Sequence, residues 1–128
     1  MSNSGTLILV VDDELPVREM VCSFLSRKGY QTVEAVEGQA ALDVLQTTSV
    51  DLVLTDLRMP GMDGVSLTRA IKERYPSLGT VVMSGYVACE ELRDELEEVG
   101  VDAILEKPFM PEELLAALAI ALAQGEPK

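Results

Sequence analysis

Five polar side chains in this sequence come at the ends of short apolar runs of the kind that form buried strands. Two adjacent carboxylates, Asp12 and Asp13, follow the first run, and a third carboxylate, Asp56, follows a later one. A hydroxyl, Ser84, and an ammonium, Lys107, end two further runs. Because ligands of open α/β sheets bind outside the carboxyl ends of the strands, these five side chains are candidates for a single site.

Three carboxylates in one crevice repel one another, and two arrangements could offset that repulsion. One is a raised pKa on one carboxyl group, and the other is a divalent cation such as Mg2+, which takes one or two carboxylates together with phosphate oxygens. With Asp12 and Asp13 on the cation, Asp56 would be available to attack phosphorus and form an aspartyl phosphate. Lys107 and Ser84 could then neutralise and hydrogen-bond the phosphoryl oxygens.

The composition limits the kind of protein. With 128 residues, 48% hydrophobic and 25% charged, the chain is long enough for one domain with a single core. Its net charge of -12 argues against nucleic acid binding, because a phosphate backbone requires a basic surface. No apolar run approaches the roughly 20 residues of a membrane span, and the N-terminus lacks the pattern of a signal peptide. With only two cysteines, a cytoplasmic location is expected.

The sequence contains no histidine, which narrows the available chemistry. Ser-His-Asp and Cys-His catalysis are excluded, and so is a zinc site built on histidine. Two cysteines are too few for an all-thiolate zinc site. A metal would therefore bind mainly to oxygen ligands, which indicates Mg2+, Mn2+ or Ca2+.

Five short apolar runs predict five strands, at residues 6–11, 31–36, 50–55, 80–84 and 103–106. The second run is less apolar than the first, so we expect it at an edge of the sheet. Helical patterns alternate with these runs, and right-handed crossovers would place helices on both faces of a parallel sheet. The expected fold class is α/β, a flavodoxin-like doubly wound (βα)5 domain with strand order 2-1-3-4-5, in which the two carboxylate-bearing strands are neighbours.

Residues that commonly begin or end helices delimit the five helical patterns: Pro16, Gly29, Gly38, Pro76, Gly100 and Pro111, with the last helix running to about Ala123. Met110 stands before Pro111, where a Ser or Asp cap would be usual. We expect a disordered N-terminus at 1–5, one domain over 6–123 and a polar C-terminal tail at 124–128.

The predicted helices differ in their apolar faces. The apolar face of the first helix comprises Val17, Met20, Val21, Phe24 and Leu25, with Cys22 beside it as a packing residue. The fourth helix has a narrow apolar stripe that includes Cys89, and a strongly acidic outer face that favours a solvated surface over a partner site. The last helix is apolar nearly all round, which favours contact with a second copy or another domain.

Four segments of the sequence resemble the signatures of the receiver domain of two-component response regulators. They are Val-Asp-Asp-Glu at 11–14, Leu-Thr-Asp-Leu-Arg-Met-Pro-Gly-Met-Asp-Gly at 54–64, Met-Ser-Gly-Tyr at 83–86 and Leu-Glu-Lys-Pro-Phe at 105–109. They occur in the family's order, at the ends of the first, third, fourth and fifth predicted strands. The resemblance covers the chain from about residue 6 to residue 123.

The resemblance implies a function in phosphorelay signalling. Asp56 would accept a phosphoryl group from a histidine on a sensor histidine kinase or a phosphotransfer protein. Asp12 and Asp13 would bind Mg2+ together with Asp56 and the backbone carbonyl of Arg58, and Lys107 would contact the phosphoryl group. Such a domain promotes its own phosphorylation and slow autodephosphorylation and is not an enzyme in the conventional sense.

The resemblance also implies a switch. Ser84 would move to bond the phosphoryl group, and this movement would reshape a surface of the fourth helix, fifth strand and fifth helix. A downstream effector protein, or a second copy in a homodimer, would bind that surface. Arg58 and Tyr86 would modulate access of the hydrolytic water, and the peptide bond before Pro108 would be cis.

One position departs from the family pattern. Three residues before the lysine of the fifth strand the family usually has Tyr or Phe, whose rotation accompanies the movement of the hydroxyl, and this chain has Ile104. The aromatic part of the switch is therefore not expected here, while the phosphorylation site is complete. Tyr86 is an alternative source of an aromatic ring, although a tyrosine just past Gly85 is more simply a loop residue.

Three other functions are alternatives. A haloacid-dehalogenase-type phosphatase also uses an Asp nucleophile but needs a second acid two residues on, where this chain has Arg58. A flavodoxin-like FMN carrier needs a hydroxyl-rich phosphate loop after the first strand. The strongest alternative is a pseudo-receiver, a protein-binding module that signals without phosphorylation. Whether the domain stands alone or belongs to a hybrid histidine kinase or longer regulator stays open.

Overall fold

A computed structural model describes residues 5–57, 63–85 and 90–125 of the chain. Within these ranges strands and helices alternate strictly: β1 (Leu7–Val11), α1 (Leu15–Arg27), β2 (Gln31–Ala35), α2 (Gly38–Thr47), β3 (Leu52–Asp56), α3 (Gly64–Arg74), β4 (Gly79–Ser84), α4 (Glu90–Val99), β5 (Ala103–Glu106) and α5 (Pro111–Gly125). The strands form one parallel sheet of order β2-β1-β3-β4-β5. The predicted fold and strand order are confirmed, with β2 at an edge.

The core consists of apolar layers on the two faces of the sheet, because successive residues of a strand point to opposite faces. On one face, Ile8 and Val10 of β1 pack with buried residues of α1 and α5. On the other face, Leu9 and Val11 pack with buried residues of α2 and α3. Both faces of the central strands are therefore covered, which explains why their sequences are apolar without alternation.

A third apolar cluster lies where α3 and α4 meet the sheet. Its buried members are Leu57, Val65, Val82 and Leu96, and Leu92, Val99, Val101 and Ile104 pack against it. The predicted apolar stripe of α4 thus contacts the sheet, while most of its charged residues are exposed. Since Leu57 directly follows Asp56, this cluster connects the end of β3 to α4 and β5.

Glycines with positive φ end α1 and α4. Gly29 has φ of 93°, and its N–H donates to the Ser26 backbone oxygen at 3.1 Å. Gly100 has φ of 95°, and its N–H donates to the Leu96 backbone oxygen at 3.1 Å. Both helices therefore stop where a left-handed residue satisfies their last carbonyls, as the sequence predicted.

The start of α5 lacks a polar cap residue but not a cap. The backbone N–H of Met110 donates to Glu113 Oε1 at 2.7 Å, and the N–H of Glu113 donates to the Met110 backbone oxygen at 3.0 Å. This is the glutamate half of a capping box. Glu113 therefore supplies the side-chain oxygen that caps the start of α5, which the Met110 side chain cannot provide.

The ends of the strands farthest from Asp56 are closed by carboxylates. Asp51 Oδ2 accepts a hydrogen bond from the backbone N–H of Leu7 at 2.8 Å. Asp102 Oδ2 accepts one from the N–H of Thr80, also at 2.8 Å, and lies 3.2 Å from the ammonium of Lys72. Side chains thus satisfy strand N–H groups at the amino end of the sheet.

The buried face of α1 differs from the predicted one. Its buried residues are Arg18, Val21, Cys22 and Leu25, and Val17 and Phe24 are partly buried. Met20, predicted to face inward, is 58% exposed, so that prediction was wrong. The buried face of α1 is centred nearer to Cys22 than the predicted one. The reason is that Arg18 is buried, and a pattern of apolar residues does not predict the burial of an arginine. Cys22 is a packing residue, as predicted.

Element boundaries differ from the predicted ones by one or two residues. Strand β3 begins at Leu52 and ends on Asp56 itself, and β2 ends before Val36, which is exposed. Helix α5 extends to Gly125 and leaves Ile120 51% exposed on its outer side. No helix in the described ranges combines the length and apolarity needed to cross a bilayer.

Gly79 generates a stability prediction, because β4 begins in direct contact with α5. A Cβ at Gly79 would lie 2.7 Å from the backbone oxygen of Ala121, closer than side chains pack. We expect Gly79→Ala to lower the free energy of unfolding by about 1–3 kcal/mol in urea denaturation. Gly85→Ala is the matched control, since a Cβ there meets nothing within 4 Å. Equal effects of the two substitutions would contradict this packing.

Candidate functional site

Three carboxylates, those of Asp12, Asp13 and Asp56, form an acidic site at the carboxyl ends of the two central strands. Strand β3 ends on Asp56, and the other two residues directly follow β1. The two strands are neighbours, with Val11 opposite Thr55, so the carboxylates emerge side by side. One oxygen from each carboxylate belongs to a group in which all lie within 4.8 Å of one another.

Hydrogen bonds on both sides hold the backbone of Asp56. The N–H of Leu57 donates to Asp56 Oδ1 at 2.8 Å and to the backbone oxygen of Met83 at 3.0 Å. The hydroxyl of Thr55 donates to the Asp56 backbone oxygen at 2.9 Å. Asp56 is also buried, so β3 and β4 together fix the direction of its carboxylate.

Gly64, the first residue of α3, lies against the backbone that carries Asp56. Its N–H donates to the Leu57 backbone oxygen at 2.8 Å. A Cβ at this position would lie 2.7 Å from the Leu57 Cα and 2.8 Å from the Asp56 backbone oxygen. Only glycine permits this close approach, so the start of α3 supports Asp56 from behind.

Asp12 is completely buried, and its two carboxylate oxygens differ. Oδ1 accepts a hydrogen bond from the Glu14 N–H at 2.9 Å. Oδ2 is buried and accepts no hydrogen bond from any residue that the structure describes. Loss of solvation raises the pKa of Asp12, and the negative charge of Asp56 raises it further, against the opposing effects of the Glu14 hydrogen bond and Lys107.

Lys107, which follows β5, reaches the acidic site. Its Nζ lies 3.3 Å from Asp56 Oδ1 and 3.8 Å from Asp12 Oδ2, with the side chain 25% exposed. Its backbone N–H donates at 2.9 Å to the backbone oxygen of Ser84, which is buried at the end of β4. The Lys107–Pro108 peptide bond is cis, as the resemblance implied. One ammonium thus contacts both buried carboxylates.

A model of the family described as "Response regulator receiver domain" matches residues 8–119, which include the acidic site and Lys107. The chain belongs to this family. Receiver domains are signalling modules of two-component systems and phosphorelays rather than conventional enzymes, and they interact with histidine kinases and effectors.

Relatives of this receiver domain are found in several signalling proteins. It is 36% identical over 124 residues to the phosphate regulon transcriptional regulatory protein PhoB of Pseudomonas aeruginosa, covering 96% of this chain and 54% of PhoB. It is 32% identical over 111 residues to sporulation initiation phosphotransferase F of Bacillus subtilis, covering 87% and 89%. The structure of chemotaxis protein CheY4 of Vibrio cholerae matches with a TM-score of 0.86 at 31% identity, covering 91% and 98%. The chain therefore spans about half the length of PhoB.

The donor set of the acidic site fits a hard divalent cation. Its three carboxylates converge, the buried Oδ2 of Asp12 has no hydrogen-bond donor among the described residues, and Mg2+ prefers carboxylate and water oxygens. Lys107 supplies one positive charge against three negative ones. The receiver domain thus contains a group of residues that could hold a metal.

The structure brings together four of the predicted site residues: Asp12, Asp13, Asp56 and Lys107. Ser84 ends the strand next to β3, and its backbone is bonded to Lys107. Ile104 lies outside the acidic site, in the cluster formed with α4. Arg58 and Tyr86 lie outside the described residues, as does Cys89.

Sequence reasoning missed two residues that hold the acidic site. Gly64 was predicted only as the last residue of the segment 54–64, and its close contact with the Asp56 backbone depends on packing between α3 and β3. Arg18 is nearly buried and donates to the backbone oxygen of Asp12 at 2.7 Å. The sequence feature that could have indicated its burial is its position four residues before Cys22, on the same face of α1.

The raised pKa of Asp12 generates a stability prediction. The folded state binds the Asp12 proton more tightly than the unfolded state, so the ionised carboxylate destabilises the fold at neutral pH. Without divalent cations, we expect Asp12→Asn to raise the free energy of unfolding by roughly 1 kcal/mol and the Tm by roughly 3–5 °C. Calorimetry would measure both.

The pH dependence has a defined sign. The penalty from ionised Asp12 is fully present above its folded-state pKa and disappears as the pH falls towards 3.8, its ordinary value. The advantage of Asp12→Asn should shrink over the same interval. Asp94→Asn, on the exposed side of α4, is the control and should change little. A less stable Asp12→Asn protein at neutral pH would contradict the prediction.

Proposed function

We propose that this receiver domain accepts a phosphoryl group on Asp56 from a phosphohistidine of a partner protein and thereby switches a protein-interaction surface. The observation that carries the proposal is the contact of 3.3 Å between Lys107 Nζ and Asp56 Oδ1, beside the carboxylates of Asp12 and Asp13. A nucleophilic carboxylate, a cation for phosphoryl oxygens and a metal-binding donor set are thus adjacent.

Asp56 is the proposed phosphoacceptor. A carboxylate oxygen would form a bond to phosphorus while the bond from phosphorus to the histidine nitrogen breaks and the imidazole leaves. The Leu57 N–H and Lys107 both contact Oδ1 and so orient the carboxylate before the reaction. The burial of Asp56 limits competition between its carboxylate and water for the phosphorus atom.

Asp12 and Asp13 are the proposed metal ligands, with Asp56 and the backbone carbonyl of Arg58 completing the set. Mg2+ bound there would neutralise charge on the phosphoryl oxygens. The two aspartates differ in solvation, since Asp12 is buried and Asp13 exposed. Asp12 would therefore fix the position of the ion, while Asp13 faces the solvent from which the ion arrives.

Lys107 and Ser84 are the proposed contacts of the phosphoryl group. Lys107 already contacts Asp56 and would shift onto the added negative charge, and the Ser84 hydroxyl would donate to a phosphoryl oxygen. Their backbones are joined by the hydrogen bond of 2.9 Å, so movement at one is felt at the other. Arg58 and Tyr86 are proposed to control the water that slowly removes the phosphoryl group.

The surface of α4, β5 and α5 is the proposed output. A hollow of about 390 Å3 between these elements is lined by Ile104, Ala116, Ile120 and charged residues that include Arg93 and Glu106. The exposed Ile120 lies beside these charged groups. An apolar contact surrounded by polar residues is typical of an interface between proteins. A downstream effector, or a second copy in a homodimer, would bind this surface in the cytoplasm.

Ile104 supports the second candidate function, a pseudo-receiver that binds proteins without phosphorylation. Its aliphatic side chain packs against the buried cluster that includes Leu96 of α4 and cannot make the ring rotation of an aromatic residue. In this alternative the acidic site would not be phosphorylated, and the surface of α4, β5 and α5 would have one fixed shape. The alternative makes no use of the contact between Lys107 and Asp56.

The phosphoacceptor is tested by incubation with Mg2+ and acetyl phosphate. We expect the intact mass to rise by one phosphoryl group, and both chelation of the metal and Asp56→Asn to abolish the increase. Asp63→Asn is the matched control, because Asp63 is an exposed aspartate that caps α3 through a bond to Ser66 N–H, which Asn can also make.

Each outcome of that experiment selects among the candidates. A mass increase that persists in Asp56→Asn would refute Asp56 as the acceptor. Metal binding without a mass increase would require a protein donor, so the assay would be repeated with a phosphorylated histidine-containing domain. The absence of both metal binding and phosphorylation would leave the pseudo-receiver.

The switch is tested by amide hydrogen exchange with and without phosphorylation. We expect exchange in α4, β5 and the start of α5 to change by at least about threefold, because new bonds from Ser84 and Lys107 alter the ends of β4 and β5. Helix α2, which packs with β1 and β2 on the edge side of the sheet, should not change. Phosphorylation without any change in β5 would contradict the proposed output.

A further inference from the structure

Arg18 is a nearly buried cation beside the acidic site, and the proposed reaction does not use it. It lies in the first turns of α1 with its side chain 11% exposed. Its Nε donates to Glu34 Oε1 at 2.7 Å, and its Nη1 donates to the backbone oxygen of Asp12 at 2.7 Å. One guanidinium thus joins α1, the edge strand β2 and the residue that begins the acidic site.

We propose that Arg18, held by Glu34, is a positioning residue for the Asp12 carboxylate and thereby sets the metal affinity of the acidic site. The proposal rests on the proposed function, since it concerns the same site. It assigns to Arg18 no contact with the metal or the phosphoryl group. Its effect passes through the peptide group of Asp12.

The bonds around Asp12 explain how such an effect arises. Its N–H donates to the Ala35 backbone oxygen at 3.2 Å, its C=O accepts from Arg18, and its Oδ1 accepts from the Glu14 N–H. These three anchors come from β2, from α1 and from the loop between β1 and α1. Together they leave Oδ2 as the carboxylate oxygen that faces the ammonium of Lys107.

The anchor made by Arg18 is the one that a substitution can remove without touching the backbone. Strand β1 has ended at Val11, and among the residues that the structure describes no backbone N–H donates to the Asp12 carbonyl. Without Arg18, the peptide group between Asp12 and Asp13 could rotate, and both metal-binding carboxylates would turn with it. Outer groups that orient ligands in this way typically change metal affinity by about 10–100-fold when they are removed.

The two bonds of Arg18 need a guanidinium rather than a positive charge alone. Its Nε and Nη1 are held at a fixed separation and point at two different acceptors, Glu34 and the Asp12 carbonyl. A lysine at this position keeps the charge but has one nitrogen at the end of a flexible stem. Arg18→Lys therefore separates the geometric role from a purely electrostatic one.

The simpler interpretation is that Arg18 and Glu34 only attach α1 to β2. A matched pair elsewhere in the chain measures what such an attachment contributes. Lys72 and Asp102 lie 3.2 Å apart, are both largely buried, and join α3 to the loop before β5 at the opposite end of the sheet. Lys72→Met should lower stability without any effect on the acidic site.

The experiment uses Mn2+ as the metal probe and counts free Mn2+ by electron paramagnetic resonance. We expect Arg18→Lys and Arg18→Met to raise the dissociation constant for Mn2+ by about 10-fold, and Glu34→Gln by a smaller factor. Lys72→Met should leave it within about twofold. Competition of Mg2+ against bound Mn2+ should rank the variants in the same order of affinity for Mg2+.

A second readout needs no metal. The amide of Asp13 shares its peptide group with the Asp12 carbonyl, and the amide of Glu14 donates to the Asp12 carboxylate. In metal-free NMR spectra we expect both amide resonances to shift in Arg18→Lys, and neither to shift in Lys72→Met. A purely structural attachment would change the stability of Arg18→Lys and leave its Mn2+ affinity as in the native protein.

The outcomes distinguish the inference from the function on which it rests. Native protein that binds neither Mn2+ nor a phosphoryl group would overturn the proposed function and this inference with it. Native protein that binds both, with Arg18→Lys and Arg18→Met within about twofold of its Mn2+ affinity, would overturn the inference alone. The inference would also be overturned if Lys72→Met lost as much Mn2+ affinity as Arg18→Lys.

Discussion

Repulsion between carboxylates is the constraint on which the rest of the structure depends. Asp56 ends β3 and Asp12 directly follows the neighbouring β1, both with almost no contact with water, and Asp13 adds a third charge at the rim. Burial at this point is costly unless positive groups face the carboxylates. Lys107 from the far side of β4 provides one such group, and the N–H groups of Leu57 and Glu14 provide hydrogen bonds. Because these groups come from different elements, only the assembled sheet offsets the repulsion.

The fold and the membership of the acidic site could be predicted because they follow from local patterns. Apolar runs predicted every strand, and the polar residues at the ends of the first, third and fifth runs predicted the side chains that meet at the carboxyl edge. What could not be predicted depends on contacts between elements distant in sequence. Arg18 interrupts the apolar face of α1, so Met20 was assigned to the core although it is exposed, and the guanidinium was not assigned to the site. Gly64 likewise has a role only because α3 approaches the backbone of Asp56.

The aliphatic cluster around Leu57 gives the acidic site a mechanical connection to α4. Leu57 follows Asp56 directly, and it packs with Val65, Val82 and Leu96, with Ile104 against the same group. Interlocked aliphatic side chains transmit displacement because interiors are close-packed and scarcely compressible. A shift at the end of β3 can therefore reach α4 and β5 through packing, without rotation of an aromatic ring. Ile104, at the position where the family usually has an aromatic residue, belongs to this packed connection.

The carboxylates of Asp51 and Asp102 lie at the amino end of the sheet, opposite the acidic site, so the domain has two ends, or poles, with different functions for their carboxylates. At their pole the strand N–H groups are satisfied by side chains, and β1 begins there. Helix α5 returns to the same pole, where Ala121 touches Gly79 at the start of β4. Residues 5 and 125 therefore both leave the domain at the pole remote from the carboxylate crevice. A fluorophore, an affinity handle or a tethered domain joined at either of these points would start about one strand length away from the acidic site and would leave that site uncovered.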